Sequence, residues 1–154
     1  VVNVAYFDTS ALVKQYVTET GSDWTQAYLA ASPMVFISSL AVVEATCAFA
    51  RRLRDGTLTP TSHMTVVEAL DYDVAHKYRQ LNIVTATVET AKRLATTYPL
   101  RAYDAVHLAT ACLLNEELQG SNQGVLTFVC ADDRLIAVAQ AEGLLTDNPN
   151  AHPS

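Results

Sequence analysis

Val4-Ala5-Tyr6-Phe7-Asp8-Thr9-Ser10-Ala11-Leu12-Val13-Lys14-Gln15-Tyr16-Val17 is the stretch on which the fold turns. Its first four residues are a short apolar run with β character, and the chain from Thr9 onward is helix-like. An acid, Asp8, stands at the joint. The same unit recurs. Met34-Val35-Phe36-Ile37 reads as a strand, after which Ser38-Ser39 caps a helix over 40–54 that stops at Asp55-Gly56. Residues 124–130 read as a strand and 133–142 as a helix closed by Gly143.

Between these units the pattern is mostly helical. Ser22 is expected to cap a helix running to about Ala30, and Pro60 to open a helix or helical pair over 60–80. Ile83-Val84 is a short strand by the same reading. Helices follow over 87–98, ending before Pro99, and over 103–118, and Leu144-Leu145 is a last short strand. Strands alternating with helices specify an α/β fold, a parallel sheet covered by helices on both faces. In such a sheet, ligands bind beyond the carboxyl ends of the strands.

The bulk properties narrow the classes. A chain of 154 residues that is 50% hydrophobic has the size and core of one domain. No apolar run approaches the roughly 20 residues that span a bilayer. Val1-Val2-Asn3-Val4 lacks the basic and long apolar regions of a signal peptide, so a cytoplasmic location is expected. Cys47, Cys112 and Cys130 are odd in number, far apart and set in apolar segments. They are expected to be reduced core residues. The net charge of −6 argues against ordinary nucleic-acid binding through a basic surplus. There is neither G-x-x-x-x-G-K-[ST] nor G-x-G-x-x-G, which excludes the common phosphate-binding loops. Asp8-Thr9-Ser10 lacks the second acid, two residues on, that an aspartyl-nucleophile phosphatase needs.

Four acids stand out. Asp8 and Asp132 each follow a strand and precede a helix. Either could simply be an N-cap, worth about 1 kcal/mol. Glu44 lies on a helix whose neighbours at three- and four-residue spacing are Leu40, Ala41, Cys47 and Ala48. A carboxylate among those residues needs a partner or solvent. Asp104 lies in the first turn of its helix, where the dipole favours an acid. His107, one turn on, is read as a satisfied core residue. If the four acids meet, they suit Mg²⁺ or Mn²⁺, which take oxygen ligands, and phosphodiester hydrolysis. Their separations of 36, 60 and 28 residues leave that meeting to the fold.

The words around these acids carry a resemblance. Tyr6-Phe7-Asp8-Thr9-Ser10-Ala11-Leu12-Val13-Lys14, Ser38-Ser39-Leu40-Ala41-Val42-Val43-Glu44, Leu100-Arg101-Ala102-Tyr103-Asp104-Ala105-Val106-His107-Leu108-Ala109-Thr110-Ala111 and Phe128-Val129-Cys130-Ala131-Asp132-Asp133-Arg134-Leu135 resemble, in order and spacing, the four motifs of PIN-domain toxins of the VapC type. The resemblance covers about residues 3–146. It implies a PIN-like three-layer α/β/α fold around a short, mainly parallel sheet of four to five strands. It places a single domain at 1–146, followed by a loose tail at 147–154.

By the same resemblance, the chain is a Mg²⁺- or Mn²⁺-dependent endoribonuclease and the toxin of a toxin–antitoxin pair. Asp8, Glu44, Asp104 and Asp132 are its catalytic residues and metal ligands. Its partners are RNA, a VapB-like antitoxin whose C-terminal segment blocks the acidic site, a second copy in a homodimer, and DNA only through the antitoxin. The alternative is a catalytically weak PIN module that binds its antitoxin and serves operon autoregulation. Two departures matter. Cys130 stands where the family usually has Ser or Thr, and Asp133 beside Asp132 is an alternative fourth acid. Two divalent ions would bring the charge from −6 to −2. Arg51, Arg52, Arg54, Lys14, Arg101 and Arg134 are the candidate basic contacts to RNA, with a solvated face as the alternative for the arginine run.

Overall fold

The computed structural model describes residues 2–153. Five strands, β1 (Asn3–Phe7), β2 (Val35–Ser38), β3 (Tyr78–Leu81), β4 (Val125–Val129) and β5 (Leu145–Asp147), form one sheet in the order β3-β2-β1-β4-β5. Every neighbouring pair is parallel. The helices are α1 (Thr9–Leu12), α2 (Ser22–Ala31), α3 (Ser39–Arg54), α4 (Pro60–His76), α5 (Thr85–Thr97), α6 (Ala102–Ser121) and α7 (Asp133–Ala141).

Alternation along β1 divides the core. Val4 and Tyr6 face one layer, where they pack with Leu126 and Phe128 of β4, Leu94 of α5, Leu108 of α6 and Leu135 of α7. Ala5 and Phe7 face the other, with Leu12 of α1, Phe49 of α3, Leu70 of α4 and Ile37 of β2. The strand is therefore buried on both sides, which is why its sequence is a continuous apolar run. Tyr6 stacks on Phe128 with ring centroids 5.7 Å apart, both fully buried. The α/β/α sandwich expected from the sequence is the observed one.

The topology places the site. The chain builds β1, β2 and β3 outward in one direction, then crosses to β4 and β5 on the other side of β1. The strand order reverses between β1 and β4, and ligands of open parallel sheets bind beyond the carboxyl ends of the strands at such a point. Full pairing from Asn3–Val125 to Phe7–Val129 brings Asp8 and the 130–132 turn side by side at that edge.

Three expectations are corrected. The third strand is Tyr78–Leu81, and Ile83-Val84 is the approach to α5. Ser22 is the first residue of α2 rather than its cap; the cap position belongs to Gly21, and the Ser22 hydroxyl bonds back to the Val17 carbonyl at 3.0 Å. The expected loose tail at 147–154 is docked through His152. Asp147 ends β5, Pro149–Ala151 form a 3-10 turn in which Pro149 is buried, and His152 stacks on Trp24 at 4.4 Å.

Gly21 is what lets that turn approach. It adopts φ +82°, and a Cβ there would overlap the Pro149 carbonyl. Gly56 has the same φ with nothing within 4 Å. Gly56→Ala should therefore lose only the left-handed strain, about 1 kcal/mol. Gly21→Ala should lose about 2 kcal/mol or more, because the tail must also move. Chemical denaturation of the two variants checks this, and equal losses would mean that the tail is not docked.

Candidate active site

Each of the four acids arrives on a different element. Asp8 is the N-cap of α1, and its Oδ2 accepts from the Ser10 amide at 3.1 Å and the Ser10 hydroxyl at 2.6 Å. Asp132 is the N-cap of α7, its Oδ1 accepting from the Arg134 amide at 2.9 Å. Capping and site placement are thus compatible, since each aspartate uses one oxygen for its helix and keeps the other. Asp133 points elsewhere, accepting from the Asn148 side chain at 2.7 Å.

Glu44 has the partner its apolar helix demanded. Its Oε1 accepts from the Thr9 hydroxyl at 2.8 Å and lies 2.5 Å from His107 Nε2. The other ring nitrogen of His107 is 2.8 Å from the Tyr6 hydroxyl, and its Nε2 is 3.8 Å from Asp8 Oδ1. His107 is 1% exposed, so it is the satisfied core residue the sequence suggested. Its satisfaction, however, comes from Tyr6 and from one of the acids, Glu44, with Asp8 close by. Helical spacing placed His107 on the inner side of α6, one turn from Asp104; nothing in the sequence named Glu44 as its partner.

Arg101, the residue before α6, is the second basic side chain of the group. Its Nε lies 3.1 Å from Asp104 Oδ2 and its Nη2 lies 4.0 Å from Asp132 Oδ2. These links tie the four acids into one electrostatic group, Asp8 and Glu44 through His107, and Asp104 and Asp132 through Arg101. Burial pushes the Asp104 carboxyl above the usual carboxylate range; Arg101 opposes this, while Asp8 and Asp132 push it further up.

Cys130 lies against the same group. Its Sγ is 3.6 Å from Asp8 Oδ2 and accepts from the Asp132 amide at 3.3 Å. Burial raises its thiol well above the ordinary range, so the sulfur meets Asp8 as a protonated, weak donor.

The donor chemistry suits a hard divalent ion, since all four acids offer carboxylate oxygen. Asp8 Oδ1, Glu44 Oε2 and Asp104 Oδ1 accept no hydrogen bond from the described residues. As the side chains stand, however, no three acidic, imidazole or thiol groups among the described residues converge closely enough to hold an ion. His107 and Arg101 occupy the spaces between them.

The other expected basic contacts divide. Lys14 is buried away from the acids, donating to the Thr20 carbonyl at 2.8 Å and pairing with Glu19 at 3.5 Å. It is not available to RNA as expected. Arg52 pairs with the same Glu19 at 2.7 Å, while Arg51 and Arg54 are exposed at the far end of α3. Arg134 joins Arg101 on a groove of about 440 Å³ beside Asp104 and Asp132, floored by Leu135 and Val138.

The pairing of Glu44 with His107 has a pH signature. Burial lowers the imidazole's pKa, but the Glu44 hydrogen bond and the charges of Asp8, Glu44 and Asp104 outweigh it, and the net shift is upward from 6.5. Burial raises Glu44, but the His107 contact, Thr9 and Arg101 outweigh it, and the net shift is downward from 4.5. The raised histidine stabilises the fold below its unfolded pKa and loses that contribution as pH rises through its folded pKa. The lowered glutamate stabilises above its unfolded pKa and loses that contribution as pH falls through its folded pKa. The pair therefore stabilises between the two folded values. In metal-free protein, the His107 ring should titrate above 6.5 by NMR, and its midpoint should fall in Glu44→Gln. An unmoved midpoint would dissolve the pairing.

Comparison with known proteins gives a consistent picture. The family model described as PIN domain matches residues 5–140. Ribonuclease VapC45 and ribonuclease VapC49 of Mycobacterium tuberculosis are each 38% identical to this chain over 114 residues, covering 73% of this chain and 78% of theirs. Among solved structures, FitAcB from Neisseria gonorrhoeae aligns at a TM-score of 0.67 with 19% identity, covering 95% of this chain and 98% of that one. The sarcin-ricin loop cleaving toxin VapC20 of Mycobacterium tuberculosis aligns at 0.65 with 15% identity, covering 92% and 96%. A toxin–antitoxin complex from Klebsiella pneumoniae aligns at 0.60 with 20% identity, covering 94% and 97%. At these identities the likeness to the solved structures is one of fold.

Proposed function

Because this chain belongs to the PIN domain family, we propose that it is a divalent-metal-dependent endoribonuclease acting as the toxin of a toxin–antitoxin pair. The observation that carries the reading is the gathering of Asp8, Glu44, Asp104 and Asp132, from four separate elements, at the reversal point of the sheet. The identity to the two VapC ribonucleases gives the substrate class.

Asp8 and Asp104 are the ligands proposed for Mg²⁺ or Mn²⁺, with Asp132 beside them. When bound, such an ion lowers the pKa of a water molecule and neutralises charge on the phosphate oxygens. Glu44 is fixed at Oε1 by His107 and Thr9, which leaves Oε2 to accept a proton from the attacking water. His107 acts as a positioning residue, since it fixes the rotamer of Glu44 and itself leans on Tyr6. The groove beside Asp104 gives a single strand of RNA a path along Arg101 and Arg134.

The partners proposed are a VapB-like antitoxin covering the acids, a second copy of the chain in a homodimer, and DNA only through the antitoxin. A cytoplasmic site of action goes with that role; among the described residues no helix is long and apolar enough to cross a membrane. One observation favours the rival reading of a catalytically weak antitoxin-binding module: Asp104 and Asp132 are engaged by Arg101.

Antitoxin-free protein should cleave single-stranded RNA with Mg²⁺ or Mn²⁺ and stop in EDTA. Asp8→Asn and Asp104→Asn should each reduce the rate on the order of 100-fold or more while remaining folded by circular dichroism. Full activity in either variant sinks the assignment of these ligands. Metal binding without turnover on a broad RNA panel favours the weak module.

A further inference from the structure

The two basic side chains of the site are held in opposite ways. His107 is buried, contacts Tyr6, Thr9 and Glu44, and has no room to leave. Arg101 has a side chain 62% exposed, while Asp104 is 16% and Asp132 30% exposed. Beyond the acids, its guanidinium meets, among the described residues, the ring face of Tyr103 at 5.2 Å. Arg101 also lowers the Glu44 carboxyl by its charge, so one exposed side chain acts on three of the four acids.

We propose that Arg101 is an exchangeable counter-ion. It holds Asp104 and Asp132 in the metal-free protein, yields them to a divalent cation, and then binds a phosphodiester of the RNA in the groove it shares with Arg134. The inference rests on the ribonuclease reading above and adds a role for a residue outside the acidic set.

The physical case is a competition. Four carboxylates at one sheet edge repel one another unless positive charge lies among them. In the metal-free site, Arg101 supplies that charge to Asp104 and Asp132, while His107 is the hydrogen-bond partner of Glu44. An exposed arginine–carboxylate pair is weak, because solvent screens it and a long side chain must be held still. A divalent ion brings twice the charge to the same oxygens, with no side chain to immobilise. Its entry therefore frees the guanidinium while the imidazole stays. The freed group stands at the lip of the groove of about 440 Å³ that Arg134 also lines. Planar guanidinium donors match phosphate oxygens in pairs, so the displaced side chain has its partner beside it.

The test uses the full chain and three variants, Arg101→Ala, Arg101→Lys and Arg134→Ala. Mn²⁺ alone is titrated into EDTA-treated, dialysed protein, with free Mn²⁺ followed by electron paramagnetic resonance. Arg101→Ala should bind Mn²⁺ about three- to tenfold more tightly than wild type, and Arg134→Ala within about twofold. With single-stranded RNA at saturating Mn²⁺, Arg101→Ala should raise KM about tenfold with a smaller change in kcat, and Arg101→Lys should recover part of that loss.

Equal or weaker Mn²⁺ binding in Arg101→Ala, with wild type binding the ion and cutting RNA, overturns the exchange and leaves the ribonuclease reading standing. Equal tightening in Arg134→Ala also overturns it, since the effect would then be one of general field. Absence of Mn²⁺ binding in every protein overturns both.

Discussion

Repulsion among four carboxylates is the constraint around which the rest of this structure is arranged. The fold sets Asp8, Glu44, Asp104 and Asp132 at one edge of a parallel sheet. Burial of Asp104 sharpens the problem, because a carboxylate removed from water feels its neighbours more strongly. His107 and Arg101 are the chain's answer. One is locked into the core and the other is laid over the surface.

The sheet makes this arrangement rigid. Tyr6 belongs to the central strand, stacks on Phe128 of the next strand and touches His107. The position of Glu44 is therefore referred, through one imidazole, to the most buried part of the molecule. Asp8 and Asp132 are fixed by a different device, the capping of the helices they begin. Capping consumes one carboxylate oxygen and leaves the other free of the helix, so a stabilising role and the proposed functional role fit on one side chain. Chemistry that depends on placement gains from groups that need no reorganisation when substrate arrives.

The central strands and the acid-bearing motifs were legible because both rest on local patterns. β1 and β4 are continuous apolar runs, and Asp8, Glu44, Asp104 and Asp132 lie within distinctive words. β3 was misplaced because Tyr78-Arg79-Gln80-Leu81 is an edge strand with no fully buried residue, so burial leaves no imprint on it. The tail was read as loose because its anchors are Trp24 and Gly21, more than a hundred residues away in the chain. Lys14 sits inside the first motif yet faces Glu19, a fact of three-dimensional packing alone. His107 was assigned its burial correctly, but its link to Glu44 spans 63 positions and became visible only with the fold.

The central proposal is that the four acids form one ion-binding site in which Arg101 stands in for the metal. A crystal structure grown with Mn²⁺, with anomalous diffraction used to locate the ion, tests it most directly. The account predicts an anomalous peak contacting Asp8 and Asp104 at the carboxyl edge of the sheet, with Arg101 turned away from Asp104 and His107 still on Glu44. A peak elsewhere on the molecule, or no peak with Arg101 still paired to Asp104, would contradict it.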